Sequence, residues 1–369
     1  MRILIHCVYY VPEVGGLESH VADLARGLVA RGHEVRVVTS RSLPGLPREE
    51  VLDGVRVRRT WLPGRTPMGW VTHALGSVPT TRRWAGWADV VHAQAFQSIA
   101  PVGLANGGRN RPWVATLHTS HFLERARRRH WRPVLRALVR WPRHVLAASQ
   151  EIADVAMALA PDVRVEALTN GVETERFRPV APAIPQGTGH RVLVVPRRLV
   201  PKNGVEDLIR AMPLIRERVP GTVALLVGDG PEREKLGEVA EELGVREAVR
   251  FLGSRPHDEM PGFLCSGEVA IFPSHMEATS VAALEAMACG LPVVATQVGG
   301  LPEIVSEEVG TLVPPRSPKA LAEGVVRLLR REDLPEMGAR ARSRVVERWS
   351  NARLVERHLA IYTRLLETA

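Results

Sequence analysis

Cysteine is scarce in this 369-residue chain. Cys7, Cys265 and Cys289 stand far apart in sequence and share no metal-ligand spacing. A disulfide framework is therefore not expected, and a reducing cytoplasm fits. No run of about eighteen apolar residues occurs, which argues against a membrane-spanning helix. The opening Met1-Arg2-Ile3-Leu4-Ile5-His6 is apolar, but the run stops at Pro12 and no small-residue cleavage site follows. It reads as a first buried strand rather than a signal peptide. There is no D-x-D triplet. Metal-held diphosphates need closely spaced carboxylates, so no metal cofactor is expected. Neither Gly15-Gly16 nor Gly228-Asp229-Gly230 continues into G-x-G-x-x-G, which argues against NAD binding. Lysine is found only at 202, 235 and 319, so the formal net charge of +9 rests on arginine. That excess suits phosphates, anionic lipid or nucleic acid; it equally suits a general arginine bias with solvated charges.

What is present is ample core-forming material. Hydrophobic residues make up 45% and charged residues 24%, enough for two domains with real cores. Strand and helix patterns alternate. Ile3–Tyr9 is a β-rich run, and the turn Pro12-Glu13-Val14-Gly15-Gly16 follows it. Leu17–Arg31 places Leu17, Val21, Leu24, Ala25 and Leu28 on one helical face, and Gly32 ends it. Val35–Thr39 is the next strand, which implies a right-handed crossover in a parallel sheet. Val90–Ala93, Trp113–Leu117, Val145–Ala147 and Val165–Leu168 are further buried-strand candidates. The Pro-, Ala- and Gly-rich stretch Pro179–Gly189 reads as a linker. Strands are then expected at Val192–Pro196, Val223–Val227, Val249–Leu252, Val269–Phe272 and Pro292–Ala295. Helices are expected at Val205–Arg218, Glu232–Leu243, Ser280–Cys289, Lys319–Arg330 and Glu336–Glu347. The pattern predicts two doubly wound α/β domains, 1–178 and 179–349, facing a cleft, with a C-terminal helix in 350–369 packing back on the first.

The strongest local signal runs from Pro273 to Gly290. It follows a buried strand, Thr279 and Ser280 are natural N-cap residues, and Gly290 with Pro292 ends the helix. Backbone N–H groups near Thr279, Ser280 and Val281 would form an anion site for a phosphate or diphosphate. Glu285, about one and a half turns into the helix, can accept from two vicinal hydroxyls such as a ribose presents. Glu277, just before the helix, can hold sugar hydroxyls or balance positive charge at an anomeric carbon. Either glutamate alone would read as a solvated charge or a helix ion pair. Together in this frame they read as a site.

Glu277, seven residues, then Glu285 resembles the E-x7-E motif of family 4 of the retaining glycosyltransferases, which have the GT-B fold. The resemblance continues through Gly290-Leu291-Pro292-Val293-Val294-Ala295-Thr296 and Gly299-Gly300-Leu301-Pro302-Glu303. It implies transfer of a sugar from a nucleoside-diphosphate sugar to an acceptor hydroxyl, without a metal. Arg198-Leu199 resembles the Arg-Leu that follows the first strand of the family's donor domain. The family's Lys slot here holds Asn203, with Lys202 one place earlier, and Arg197 stands five before Lys202. The sequence leaves open which of Arg197 and Arg198, and which of Lys202 and Asn203, meets the diphosphate. Leu252, at the end of its strand, joins the donor-binding set. Gly15-Gly16 with Glu18 resembles the family's glycine pair, where backbone can approach a phosphate. His118, after the strand Trp113–Leu117, is similar in context to a histidine that meets the donor sugar, and is assigned to catalysis with Glu277. His121 is a weaker candidate. Asn170-Gly171-Val172 resembles an element read first as hinge and packing.

The first domain is expected to bind the acceptor. In Phe122–Trp141, Arg with Trp and Leu at helical spacing suits either a helix on an anionic membrane surface, docking through 122–144, or an ordinary amphipathic helix with a basic outer face. No nucleic-acid motif is recognised. Two other classes stay open: a non-catalytic nucleotide-sugar or polyanion-binding protein on the same fold, and a sugar-nucleotide epimerase.

Overall fold

The computed structural model describes residues 1–13, 15–107, 111–118, 120–185 and 189–368. These form two compact units, Met1–Gly171 with Asn351–Ala369, and Val172–Ser350.

The first unit begins with β1 (Arg2–His6), α1 (Gly16–Ala30), β2 (Glu34–Arg41), β3 (Glu49–Leu52), β4 (Val55–Trp61) and α2 (Pro67–Ala85). It continues with β5 (Val90–Gln94), α3 (Ile99–Asn106), β6 (Trp113–Leu117), α4 (Ser120–Arg127), α5 (Arg132–Arg140), β7 (His144–Ala147), α6 (Gln150–Leu159) and β8 (Val165–Ala167). The sheet order is β3-β4-β2-β1-β5-β6-β7-β8, with only β3 antiparallel. The hairpin β3–β4 and helix α2 add to the elements expected from the pattern. Asp53-Gly54, both at positive φ, makes the hairpin turn, a pairing that suits a type I′ turn. Gly32, at φ 80°, ends α1, and the N–H groups of Gly32 and His33 close back on Val29 and Leu28. Val14, in the turn expected before α1, lies outside the described residues.

The second unit has β9 (Arg191–Val195), α7 (Val205–Arg218), β10 (Thr222–Val227), α8 (Arg233–Glu242), β11 (Val249–Gly253), α9 (Met260–Leu264), β12 (Val269–Phe272), α10 (Val281–Ala288), β13 (Val293–Thr296), α11 (Leu301–Ile304), β14 (Gly310–Val313), α12 (Pro318–Leu329) and α13 (Leu334–Trp349). Its sheet is all parallel, ordered β11-β10-β9-β12-β13-β14. The run 292–295 expected as a strand begins at Val293, since Pro292 has no N–H to give the ladder. The expected linker Pro179–Gly189 belongs to this unit. Val180 N donates to Cys265 Sγ, Ala183 N to Gly262 O and Ile184 N to Ser266 Oγ. Residues 186–188 of it lie outside the described set.

The last helix, α14 (Asn351–Glu367), returns to the first unit. Leu354, Val355, Ile361, Tyr362 and Leu365 join the core formed by β1, β2 and α1. In the second unit Cys265 and Cys289, distant in sequence, are neighbours; the Cys265 thiol lies 3.9 Å from the Cys289 carbonyl and both cysteines are free.

Candidate active site

In the second unit, β10 and β11 lie to one side of β9 and β12–β14 to the other. Successive crossovers therefore reverse direction between β9 and β12. In open α/β sheets, ligands bind at the carboxyl ends of strands at such a reversal. Arg197 follows β9, and Ser274 and Glu277 follow β12. Arg197 is buried, and its Nη2 donates to both the Ser274 hydroxyl and Glu277 Oε2. Its guanidinium carbon lies 5.5 Å from the centre of the Phe272 ring. Glu277 Oε1 accepts from Ala278 N at 3.3 Å. The two side chains are 8% and 16% exposed, so this is a shielded pair. Such pairs break expensively, at about 3–5 kcal/mol when one partner is removed.

Close backbone contacts hold this frame. A Cβ on Gly204 (φ 62°) would collide with the Pro273 carbonyl. The N–H groups of His275 and Met276 donate to Lys202 O at 2.8 and 3.3 Å. On the far side, a Cβ on Gly299 (φ 57°) would strike the Glu277 carbonyl, and Gly300 N donates to Ala278 O at 3.1 Å. The loop after β9 is tied internally as well. Asn203 is buried, and its Nδ2 donates to Arg198 O at 2.8 Å. Lys202 is half-buried and Arg198 exposed. Asn203 thus has a loop-holding task, which the sequence left undecided.

α10 begins at Val281. Ser280 occupies the N-cap position, but its hydroxyl makes no capping bond and is buried without a partner. The side-chain cap expected there is absent because Ser280 has non-capping backbone angles, φ −90° and ψ 82°. The first turn is closed by backbone, with Val281 N donating to Thr279 O and Leu284 N to Ser280 O, both at 3.2 Å. Glu285 lies in the second turn and is buried. Its Oε1 meets His257 Nε2 at 2.7 Å, while His257 Nδ1 lies 3.2 Å from Arg176 Nη1 and the ring packs on Phe177. One carboxylate oxygen of Glu285 is therefore engaged within the protein. Leu252 is half-buried at the end of β11, beside the Gly228 N to Gly253 O bond of 2.9 Å.

Gly15, Gly16 and His118 belong to the first unit. Gly15 precedes α1 in extended backbone, φ 176°, and Gly16 is the first helical residue. The reversal in this sheet falls between β1 and β5, where Ala95 has φ 69° and ψ 155°. This is a strained conformation for alanine. Gln94, just before it, accepts from His118 Nε2 through its side-chain oxygen. The same amide's Nε2 lies 3.3 Å from His92 Nδ1, and His92 contacts Tyr362 Oη and Thr116 Oγ1 at 2.7 Å each. His118 is buried, and burial pushes its pKa down to about 3, with His92 and His358 adding to the effect. It is a neutral ring. Gln94, Ser274 and His257 were not singled out from sequence, because only the fold brings them to their partners. Each carries one weak signal: position at or just beyond the end of a strand, or before a helix. His121 is exposed, 3.3 Å from Glu124; Thr119 lies outside the described residues.

In the basic segment, Phe122, Leu123, Ala126, Leu135 and Val139 are buried, and Arg127–Arg129, Arg132, Arg136 and Arg140 are exposed. Four of these arginines, 129, 132, 136 and 140, line a cleft of about 490 Å³ against Ala158 and Leu159 of α6. No described helix is long and apolar enough to cross a membrane.

Residues 181–344 match the family model described as Glycosyl transferases group 1, and residues 14–176 match the one described as Glycosyltransferase Family 4. The sequence is 32% identical over 357 residues to the glycogen synthase of Mycobacterium tuberculosis, covering 88% of this chain and 85% of that protein. The fold is similar to that of sucrose-phosphate synthase from Thermosynechococcus elongatus, with TM-score 0.87, 24% identity and complete coverage (100%) of both chains. HepE of Anabaena in complex with UDP-glucose superposes with TM-score 0.75 at 21% identity, again covering 100% of each chain. Both solved structures share the GT-B fold with this chain.

Proposed function

Since the chain belongs to family 4 of the glycosyltransferases, which retain anomeric configuration, we propose that its Val172–Ser350 unit binds the donor at the carboxyl ends of β9 and β12. The donor is a nucleoside-diphosphate sugar, the class to which the UDP-glucose bound by HepE belongs. The observation that carries this reading is the Arg197 guanidinium bridging Ser274 and Glu277 at the sheet reversal. Arg197 fixes the Glu277 carboxylate, which faces the transferred sugar and balances charge at its anomeric carbon. Lys202, whose neighbour Asn203 is committed to its own loop, meets the diphosphate together with Arg198 and backbone N–H groups near Thr279–Val281. No metal is required in this scheme. Glu285, steadied by His257, holds the ribose through its remaining oxygen. Gly15 and Gly16 leave the backbone of the turn before α1 open to a phosphate. His118 is a neutral hydrogen-bonding group for a sugar hydroxyl, not a proton-transfer group.

In the reaction the bond from the anomeric carbon to the diphosphate oxygen breaks. The acceptor oxygen bonds to that carbon on the same face, and its proton passes to the leaving phosphate. The first unit takes the acceptor. Its basic segment 122–144 attracts an anionic membrane surface, with the arginine-lined cleft beside α6 suited to a phosphate headgroup.

The test is a panel of UDP-, GDP- and ADP-sugars assayed with chelator present. Turnover of at least one, with Glu277→Gln losing about a hundredfold or more in rate while keeping nucleoside diphosphate affinity, is the expected result. Absence of binding and turnover with every donor overturns the reading.

A further inference from the structure

α2 is built inside out. Its buried positions are mostly polar or small: Gly69, His73, Ser77, Thr81 and Ala85, with Trp84. The polar ones are served within the unit. His73 Nδ1 meets Thr60 Oγ1 at 3.0 Å, and Ser77 Oγ meets His6 Nε2 at 3.0 Å. The outward stripe is apolar. Met68, Val71 and Leu75, spaced three and four apart, are 73%, 54% and 60% exposed. Trp61, at the end of β4, is 61% exposed. A soluble surface helix ordinarily carries the opposite pattern. Exposed apolar side chains at one helical face mark an interaction surface.

The charge around the stripe says what covers it. The unit that carries α2 has 26 Lys and Arg against 15 Asp and Glu, while the Val172–Ser350 unit has 23 against 25. The basic excess of the whole chain therefore sits in one unit. α2 adjoins the arginine-rich segment directly, since the Arg125 guanidinium lies 5.9 Å from the Trp70 ring and 5.0 Å from Trp131. Right-handed crossovers put α2, α3, α5 and α6 on the same face of the sheet, opposite α1. The basic segment buries Phe122, Leu123 and Leu135 and exposes only Val134 and Trp141, at 49% and 44%, as large apolar side chains among its arginines, so its attraction is mainly electrostatic. Two copies of so basic a face would repel one another.

We infer that the α2 stripe Met68, Val71 and Leu75, with Trp61, is the element that inserts into the interface of an anionic bilayer, beside the arginines that attract it. This rests on the membrane reading of segment 122–144, and it assigns the larger apolar part of the attachment to α2 and Trp61. Attraction plus buried apolar area is the combination that holds an amphipathic surface element on lipid.

Flotation with phosphatidylcholine vesicles, with and without phosphatidylglycerol, tests it on the full chain. Met68→Ser/Val71→Ser/Leu75→Ser should bind the anionic vesicles at least about tenfold more weakly than the wild type, with an unchanged melting temperature and unchanged donor hydrolysis. Residual binding of this variant should vanish in high salt, whereas wild-type binding should persist in part. Arg129→Gln/Arg132→Gln/Arg136→Gln should lose binding as well. If only the arginine variant loses binding, electrostatic docking stands and the inference about α2 falls. If the wild type ignores both vesicle types, or docks on a second copy or an acidic protein through this stripe, both fall. Donor hydrolysis by the same preparation reports separately on the transferase reading.

Discussion

The buried histidines give the clearest consequence at the scale of single residues. His6, His73, His118 and His358 have pKa values pushed down to about 3, 4, 3 and 4, and His20 and His92 well below the usual range, in every case chiefly by burial. Unfolded, these rings take up protons below about pH 6.5. Folded, they stay neutral until far lower pH. The unfolded chain thus binds more protons through this window, and stability, full above about pH 6.5, falls as the pH drops toward 4. Each ring contributes a slope of about 1.4 kcal/mol per pH unit there. Urea midpoints measured from pH 7.5 down to 4.5 should fall steeply, and His358→Gln or His92→Gln should flatten the curve. A midpoint that does not move with pH would contradict the neutral cluster. The same depression means that no step in the pH profile of transfer between 5 and 8 belongs to His118.

Among elements, the loops around Glu277 depend on glycines for closeness. Gly299→Ala would set a Cβ against the Glu277 carbonyl at a backbone φ of 57°. Strain of this kind costs about 1–3 kcal/mol. The expected result is a modest fall in melting temperature with a much larger fall in transfer rate, because the displaced backbone carries Glu277; equal wild-type rates would show that its position is not set there. This frame was legible in the sequence. A buried strand, a Pro-to-Gly bounded helix and two glutamates in phase are local features, and the paired glycines Gly299-Gly300 stood beside them. Other parts resisted reading. α2 escaped because its apolar positions point outward and its inner positions are polar, so periodicity carried no sign of burial. The β3–β4 hairpin had its signal in Asp53-Gly54, yet its strands are short and rich in Arg and Glu. The His257–Glu285 and Gln94–His118 contacts span 28 and 24 residues, and nothing in either stretch announces its partner.

For the whole molecule, charge and covalent order separate the two units. One is nearly neutral and holds the proposed donor frame. The other is strongly basic and carries the inside-out helix. Repeated strand–helix alternation made the fold class legible, but the net charge of +9 concealed how unevenly it is divided. The chain enters the first unit, leaves it at Gly171, and comes back only at Asn351. α14 then packs against α1, with Val355 beside Gly27 and Tyr362 Oη on His92 of β5, and its apolar side chains complete the core of this unit. During synthesis this imposes a schedule. The first unit emerges from the ribosome first yet is completed last, after the second has had its full length available. Nascent chains arrested with Ser350 outside the exit tunnel should be protease-resistant across 172–350 and still cleavable within 1–171. Full-length release should protect both. Through that interval an uncovered apolar face waits for its final helix, so the first unit's newborn form is a natural client for holding chaperones.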